Sequence, residues 1–408
     1  MTETYNFIQP KYVSEFKCDG NKCNARCCRK WLVIVDDKAL ETYKKIESDK
    51  KEITSRISFL PERKINVMTL DKNDNCVFLT KENLCSLQLA HGEEILCVTC
   101  RNYPRRVTFF DGILETAMTL SCPVAAESAL TLAESTKLEP VKKYSDPEKF
   151  TVNIPNIPPE LHQYFLDIQF TAIDILKNKN LTINQRLAVL GIFLENIEDV
   201  ENIDEKVFGA YKSENFSVET AQKILSNFTF NPREFIRVMF DGVIETLYGK
   251  KSSENPESLG EEEIFALNLA AHFNEVFRIT PDENGTISVD AAAKSFLETE
   301  NLRGEFLKKF EQIFENYLVN EFFMNVYPFR FDKSVTLNFG VFIATYKIIE
   351  LFTLIMYKTS PQVTDKDLVN CIAKFSTSID HTALYSEKIL NELRGKNISQ
   401  LITTFLQV

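Results

Sequence analysis

The segment Cys18–Trp31, CDGNKCNARCCRKW, places four cysteines within eleven residues, two of them adjacent. Three readings compete for such a cluster: a disulfide staple, a metal cage, or small core residues. The rest of the chain decides between them. At 408 residues, with 44% apolar and 26% charged residues, the chain has ample material for buried cores and is long enough for two domains. Disulfide frameworks belong to small secreted domains that cannot build such cores. MTETYNFIQPKYV, at the start, has no basic stretch leading into an apolar run, so no signal peptide is expected. Val341–Tyr357 is the most apolar segment, but Lys347 and Glu350 interrupt it, so it reads as a buried helix and no membrane partner is expected. These features predict a cytoplasmic protein with reduced thiols, in which clustered cysteines point to metal binding or catalysis.

Nine of the ten cysteines precede residue 123: Cys18, Cys23, Cys27, Cys28, Cys76, Cys85, Cys97, Cys100 and Cys122. Only Cys371 lies beyond, and it reads as a core residue. The boundary falls near ESTKLEPVKKYSDPEKF (Glu134–Phe150), a charged stretch with two prolines that reads as a linker. The expected organisation is therefore a cysteine-rich domain over 1–135, a linker over 136–150 and a helical domain over 151–408. The fold class is α+β but mostly α.

In the first domain, WLVIVDD (Trp31–Asp37) reads as a short strand, Ala39–Ile57 as a helix, and Cys122–Ser135 as a helix with proline in its first turn. Arg105–Ser121 carries two strand-like runs around Asp111-Gly112, a strong hairpin signal. Beyond residue 150, six segments (158–178, 184–200, 232–250, 261–279, 303–323 and 337–357) repeat apolar residues at helical spacing. The 32 phenylalanines suit an aromatic helical core better than a cofactor box.

Soft thiolates are what metal and cluster sites need, and closely spaced cysteines supply part of a ligand shell at little chain-closure cost. Cys23-x₃-Cys27 and Cys97-x₂-Cys100 could pair as zinc knuckles, although His91 is the only nearby histidine and a double cysteine is unusual for zinc fingers. By spacing, an iron–sulfur cluster ranks ahead of zinc. The net charge of −11 argues against nucleic-acid binding and is compatible with a lysine-bearing protein partner. Twelve glycines include no Gly-x-Gly, and there is no Walker sequence, Gly-x-Ser-x-Gly elbow or HExxH. The four histidines, His91, His162, His272 and His381, lie far apart.

The ordered set CxxxCCxxW (Cys23–Trp31), CVFL (Cys76–Leu79), LC (Leu84–Cys85), CRNYPR (Cys100–Arg105), SCP (Ser121–Pro123) and FENYLVNEFFMNVYPF (Phe314–Phe329) resembles the flagellin lysine-N-methylase family. The N-terminal part is also similar to a wider family of cysteine-rich zinc- or iron-chelating domains. The resemblance implies methyl transfer from S-adenosylmethionine to lysine ε-amines of flagellin, and a 4Fe–4S cluster in place of a glycine-rich cofactor fold. Carried over by position, the family cysteines are Cys18, Cys23, Cys27, Cys28, Cys76, Cys85, Cys100 and Cys122, with Cys23, Cys27, Cys85 and Cys100 ranked first as ligands. Cys97 departs from the family pattern and ranks as a bystander. The Cys-x₃-Cys-x₂-Cys triplet of radical S-adenosylmethionine enzymes is absent. Asp36, Glu93, Glu94, Tyr103 and Tyr317 could orient an amine, and Arg101 and Arg105 could hold a carboxylate; each also has a plain structural reading. No catalytic residue is assigned. The competing function is a non-catalytic metal-binding module joined to a helical interaction domain.

Overall fold

The computed structural model describes residues 3–407 except 21, 30, 146–151, 154, 199–202, 204, 213–215, 240–270, 273, 278–287, 361 and 380–382. Its contacts divide the chain into two compact units, Met1–Ile154 and Pro155–Val408.

The first unit is α+β. A five-stranded sheet has the order β7-β1-β6-β5-β8, with β1 (Glu3–Pro10), β5 (Arg105–Phe110), β6 (Ile113–Met118), β7 (Leu138–Ser145) and β8 (Val152–Asn153). β5 and β6 form the expected hairpin, with Asp111 at φ 46° and Gly112 at φ 78°. Both turn residues are thus left-handed, as a two-residue turn matched to strand twist requires. The stretch read as a linker is different: eight residues of it, β7, pair antiparallel with the whole of β1. Its Val141 packs on the small core of Phe7, Val107 and Leu114, so pairing and burial override the charged composition. The remainder, 146–150, lies outside the described residues.

A second sheet, β2-β4-β3, comprises β2 (Ile34–Val35), β3 (Ile57–Leu60) and β4 (Ile65–Met68). The strand expected over Trp31–Asp37 is cut to two residues because Asp36 caps the next helix, accepting the Ala39 amide at 2.9 Å. The helix expected over Ala39–Ile57 is two, α2 (Asp37–Lys45) and α3 (Lys50–Ser55), with extended backbone at Ile46 between them. Shorter helices α4 (Ser86–His91) and α5 (Val98–Asn102) and the longer α6 (Pro123–Thr131) each start immediately after a cysteine.

The second unit is helical among the described residues. Its spine is the helix Val335–Thr359, packed against the helices Ile183–Glu198, Glu311–Met324, Asp365–Ile379, Ala383–Leu393 and Ile398–Phe405. It is the one described helix long and apolar enough to cross a membrane, and 94% of its apolar window is buried inside the fold. The helix expected over 303–323 is interrupted at Phe310, whose ring is buried against Phe306 and Tyr357. Of segments 232–250 and 261–279, the described parts are helical over Pro232–Met239 and at 271–272 and 274–276. The rest lies outside the described residues.

Candidate thiolate site

The cysteines of the first unit sit on loops and helix starts, and two cross-links bring those loops together. Arg29, directly after the double cysteine, is the first. Its guanidinium donates to the Asn24 carbonyl (2.8 Å), Asn75 Oδ1 (2.6 Å) and Asn83 Oδ1 (2.8 Å). The Cys76 amide donates to the Cys28 carbonyl at 2.8 Å, so the first thiol loop lies against the Asn75–Cys85 loop. Gly20 permits the approach: a Cβ there would lie 2.4 Å from the Asn83 carbonyl oxygen. Asp36 is the second cross-link. While one carboxylate oxygen caps α2, the other accepts the Val98 amide at 2.7 Å, fixing the start of α5 and with it Cys97-Val-Thr-Cys100.

The result is one apolar cluster in which Cys76 and Cys97 are buried alongside Val35, Tyr43, Met68 and Phe78, with Cys28, Cys85, Cys100 and Trp31 packed onto it. Cys27 touches this group through Cys28, their sulfurs 4.0 Å apart. Cys18 is exposed, and Cys23 points its thiol at the Gly20 carbonyl at 3.8 Å. Cys122 is buried at the start of α6 and lies in the electrostatic field of Cys23 and Cys27. Cys371 is buried in the second unit, its thiol pushed up to about 12 by burial against the opposing charge of Lys374.

Chemically, the set favours sulfur held by backbone amides. Burial raises the Cys76 thiol to about 11 and the Cys122 thiol to about 12, while the Phe78 amide opposes the shift at Cys76 and the Ala125 and Val124 amides oppose it at Cys122. The Gln88 and Leu87 amides do the same for Cys85, which burial also raises. The Cys97–Cys100 pair is polarised. Cys100 donates its thiol proton to Cys97, which also gathers the Cys100 and Thr99 amides, so Cys97 is lowered and Cys100 raised well above the usual thiol range. Among the described residues no three His, Cys, Asp or Glu side chains close around a single metal ion. The donor set, nine reduced thiols of which most share one apolar neighbourhood with amide support, is of the kind that soft metals and iron–sulfur clusters take.

The structure separates the other sequence-predicted residues. Asp36 is a cross-link whose two oxygens are engaged. Glu93 and Glu94 are exposed on a short turn. His91 pairs with Asp49 at 2.8 Å. Tyr103 stands edge-on to Trp31 with ring centres 5.3 Å apart, and its hydroxyl lies 3.2 Å from Ser121 Oγ; burial first, and then Cys122, raise its pKa. Arg105 lies over the Phe16 ring and Arg101 donates to the Glu94 carbonyl at 3.4 Å. Tyr317 belongs to the second unit, 6.4 Å from Tyr346 between ring centres.

Sequence reasoning missed two features. The first is Tyr43, fully buried in the thiol cluster one helical turn from buried Ala39; that spacing on α2 was the available signal. The second is a polar array inside the second unit. Arg186, fully buried, pairs with Glu315 at 2.9 Å and with Glu311. Lys347 contacts Glu350 (2.6 Å) and Asn184 (2.7 Å), all three buried. Lys347 and Glu350 were visible only as interruptions of an apolar run.

The FliB lysine N-methylase C-terminal domain model matches residues 169–406, well over half of the chain. The flagellar biosynthetic protein FliU of Salmonella muenchen is 25% identical over 150 residues, covering 34% of this chain and 84% of FliU. A lysine-N-methylase of Salmonella typhimurium is 25% identical over 150 residues, covering 32% of this chain and 35% of that protein, and one of Salmonella choleraesuis matches to the same extent. The chain thus spans about a third of the length of the lysine-N-methylases it matches. No solved structure matches.

Proposed function

The chain belongs to the FliB lysine N-methylase family, and from that premise we propose that it transfers methyl groups from S-adenosylmethionine to lysine ε-amines of flagellin in the cytoplasm. We further propose that its N-terminal unit holds a 4Fe–4S cluster through cysteines drawn from Cys18, Cys23, Cys27, Cys28, Cys76, Cys85, Cys100 and Cys122. The observation that carries the reading is the convergence of thiols from three separate loops into one apolar neighbourhood, in a chain that matches this family.

Lysine methylation needs a deprotonated amine, a sulfonium methyl in line with it, and exclusion of water. A bound cluster with an open iron would supply an anchor for the amino and carboxylate groups of S-adenosylmethionine, or an electron. The chain's own residues do the rest of what can be assigned. Amides at Phe78, Leu87, Gln88, Val124 and Ala125 would stabilise the negative charge on Cys76, Cys85 and Cys122 once a metal takes them as thiolates. Arg29 and Asp36 fix the loops that carry the sulfurs. Val35, Met68 and Phe78 exclude water from them.

Anaerobic purification followed by iron, acid-labile sulfide and zinc analysis tests the site. About four iron and four sulfide per chain are expected, the composition of one 4Fe–4S cluster. Stoichiometric zinc without sulfide overturns the cluster and favours a structural zinc module.

A further inference from the structure

Tyr43 is fully buried on α2, inside the apolar cluster that contains Cys76 and Cys97. Its hydroxyl proton has no acceptor, and the Cys97 amide is the one backbone group that supports its oxygen. Buried polar groups are nearly always satisfied, and an orphaned hydroxyl in a well-packed core marks a missing partner. The groups whose charge the phenol feels most are Cys97 and then Cys100, followed by Asp36. Asp36 is not the missing acceptor, because its carboxylate is taken up by the Ala39 and Val98 amides. Cys97 lies wholly buried within the same cluster, so no water reaches the hydroxyl from solvent on that side.

What remains is an acceptor seated among the sulfurs. A neutral thiol is a poor acceptor, whereas a metal-bound thiolate is a good one and a phenol is a good donor to it. We propose that the Tyr43 hydroxyl is the outer-shell hydrogen-bond donor to sulfur of the Cys97–Cys100 pair in a metal–sulfur centre. Tyr43 is then a positioning residue for that centre. Cys97, set aside by the family pattern, belongs to its immediate surroundings. The inference rests on the proposal that the first unit holds a cluster.

The test compares anaerobically purified wild type and Tyr43→Phe, a change that removes one oxygen and keeps the ring. Iron and sulfide, the midpoint potential of the bound centre, its half-life under an iron chelator, and the melting temperature after metal removal are all measured. A hydrogen bond to a ligating sulfur favours the reduced, more electron-rich state. Tyr43→Phe should therefore carry the wild-type iron and sulfide, show a lower potential, and release iron severalfold faster. Its metal-stripped form should melt near the wild-type temperature, because the change removes a hydroxyl that has no acceptor and only a weak amide contact to its oxygen.

Iron with unchanged potential and half-life overturns the inference and leaves the cluster standing. A metal-stripped variant that melts well below wild type assigns Tyr43 a packing role and also overturns the inference. Wild type without iron and sulfide overturns the cluster itself, and the inference with it.

Discussion

Lys347 and Glu350 form a buried ion pair within the spine helix of the second unit. Their side chains are 4% and 2% exposed, the Nζ–Oε2 distance is 2.6 Å, and Nζ also donates to Asn184 Oδ1 at 2.7 Å. Lys347→Met leaves the Glu350 carboxylate buried without its cation, and breaking such a pair costs about 3–5 kcal/mol. For a unit of this size each kcal/mol moves the melting temperature by roughly 2–4 °C, so the single change should lower it by about 6–20 °C. Lys347→Met/Glu350→Leu removes both charges, and replacing a whole buried pair by apolar residues of similar volume is often neutral or stabilising. The double variant should recover most of the loss.

A pH signature accompanies it. Burial, opposed by Glu350, holds the Lys347 ammonium below its ordinary range. The unfolded chain therefore binds more protons between that lowered value and 10.5, so this pair makes a stability contribution that rises with pH across the window. Thermal melts followed by helical circular dichroism, repeated across that range, read both effects. A Lys347→Met protein melting within about 2 °C of wild type, or a double variant no better than the single, would refute the reasoning.

Three further outcomes are expected. Gly191→Ala should destabilise by about 1–3 kcal/mol in denaturant titration, because a Cβ there would sit 2.8 Å from the Phe339 ring and 3.3 Å from Ile398. Glu234, held at about 2 chiefly by Arg237 and also by Lys396, adds stability that is full above 4.5 and lost as pH falls toward 2. Glu234→Gln should flatten that part of the acid unfolding curve. Cys371→Ser should leave iron content unchanged, since Cys371 is buried in the unit that lacks the clustered thiols; a loss of iron there would refute the division of the cysteines.

Local signals made much of the fold legible. Asp111-Gly112 announced its hairpin because a two-residue turn demands left-handed backbone that this pair adopts cheaply. The six helical segments followed from apolar spacing wherever the structure describes them. Long-range pairing was not legible. Leu138–Ser145 carries a proline and two lysines, and only its partner β1, more than a hundred residues earlier in the chain, makes it a strand. At the site, cysteine spacing revealed a thiol cluster, but spacing cannot say which thiols share a core. Cys23, one of the four ranked highest as ligands by sequence, faces the Gly20 carbonyl, whereas Cys97, set aside as a bystander, is buried among the sulfurs. Arg29 and Tyr43 carry no motif; their importance lies in Asn75, Asn83 and Cys97, brought close only by the fold.

Methyl transfer by one protein preparation, before and after loss of its metal, tests the central claim most directly. Anaerobic protein, labelled S-adenosylmethionine and flagellin are incubated together, and methyl-lysine is counted by mass spectrometry. The metal-loaded protein should label flagellin lysines, the chelator-stripped protein should not, and reconstitution with iron and sulfide should restore the label. Equal labelling by the stripped protein would remove the cluster from the account, and no labelling by a fully loaded protein would contradict lysine methylation itself.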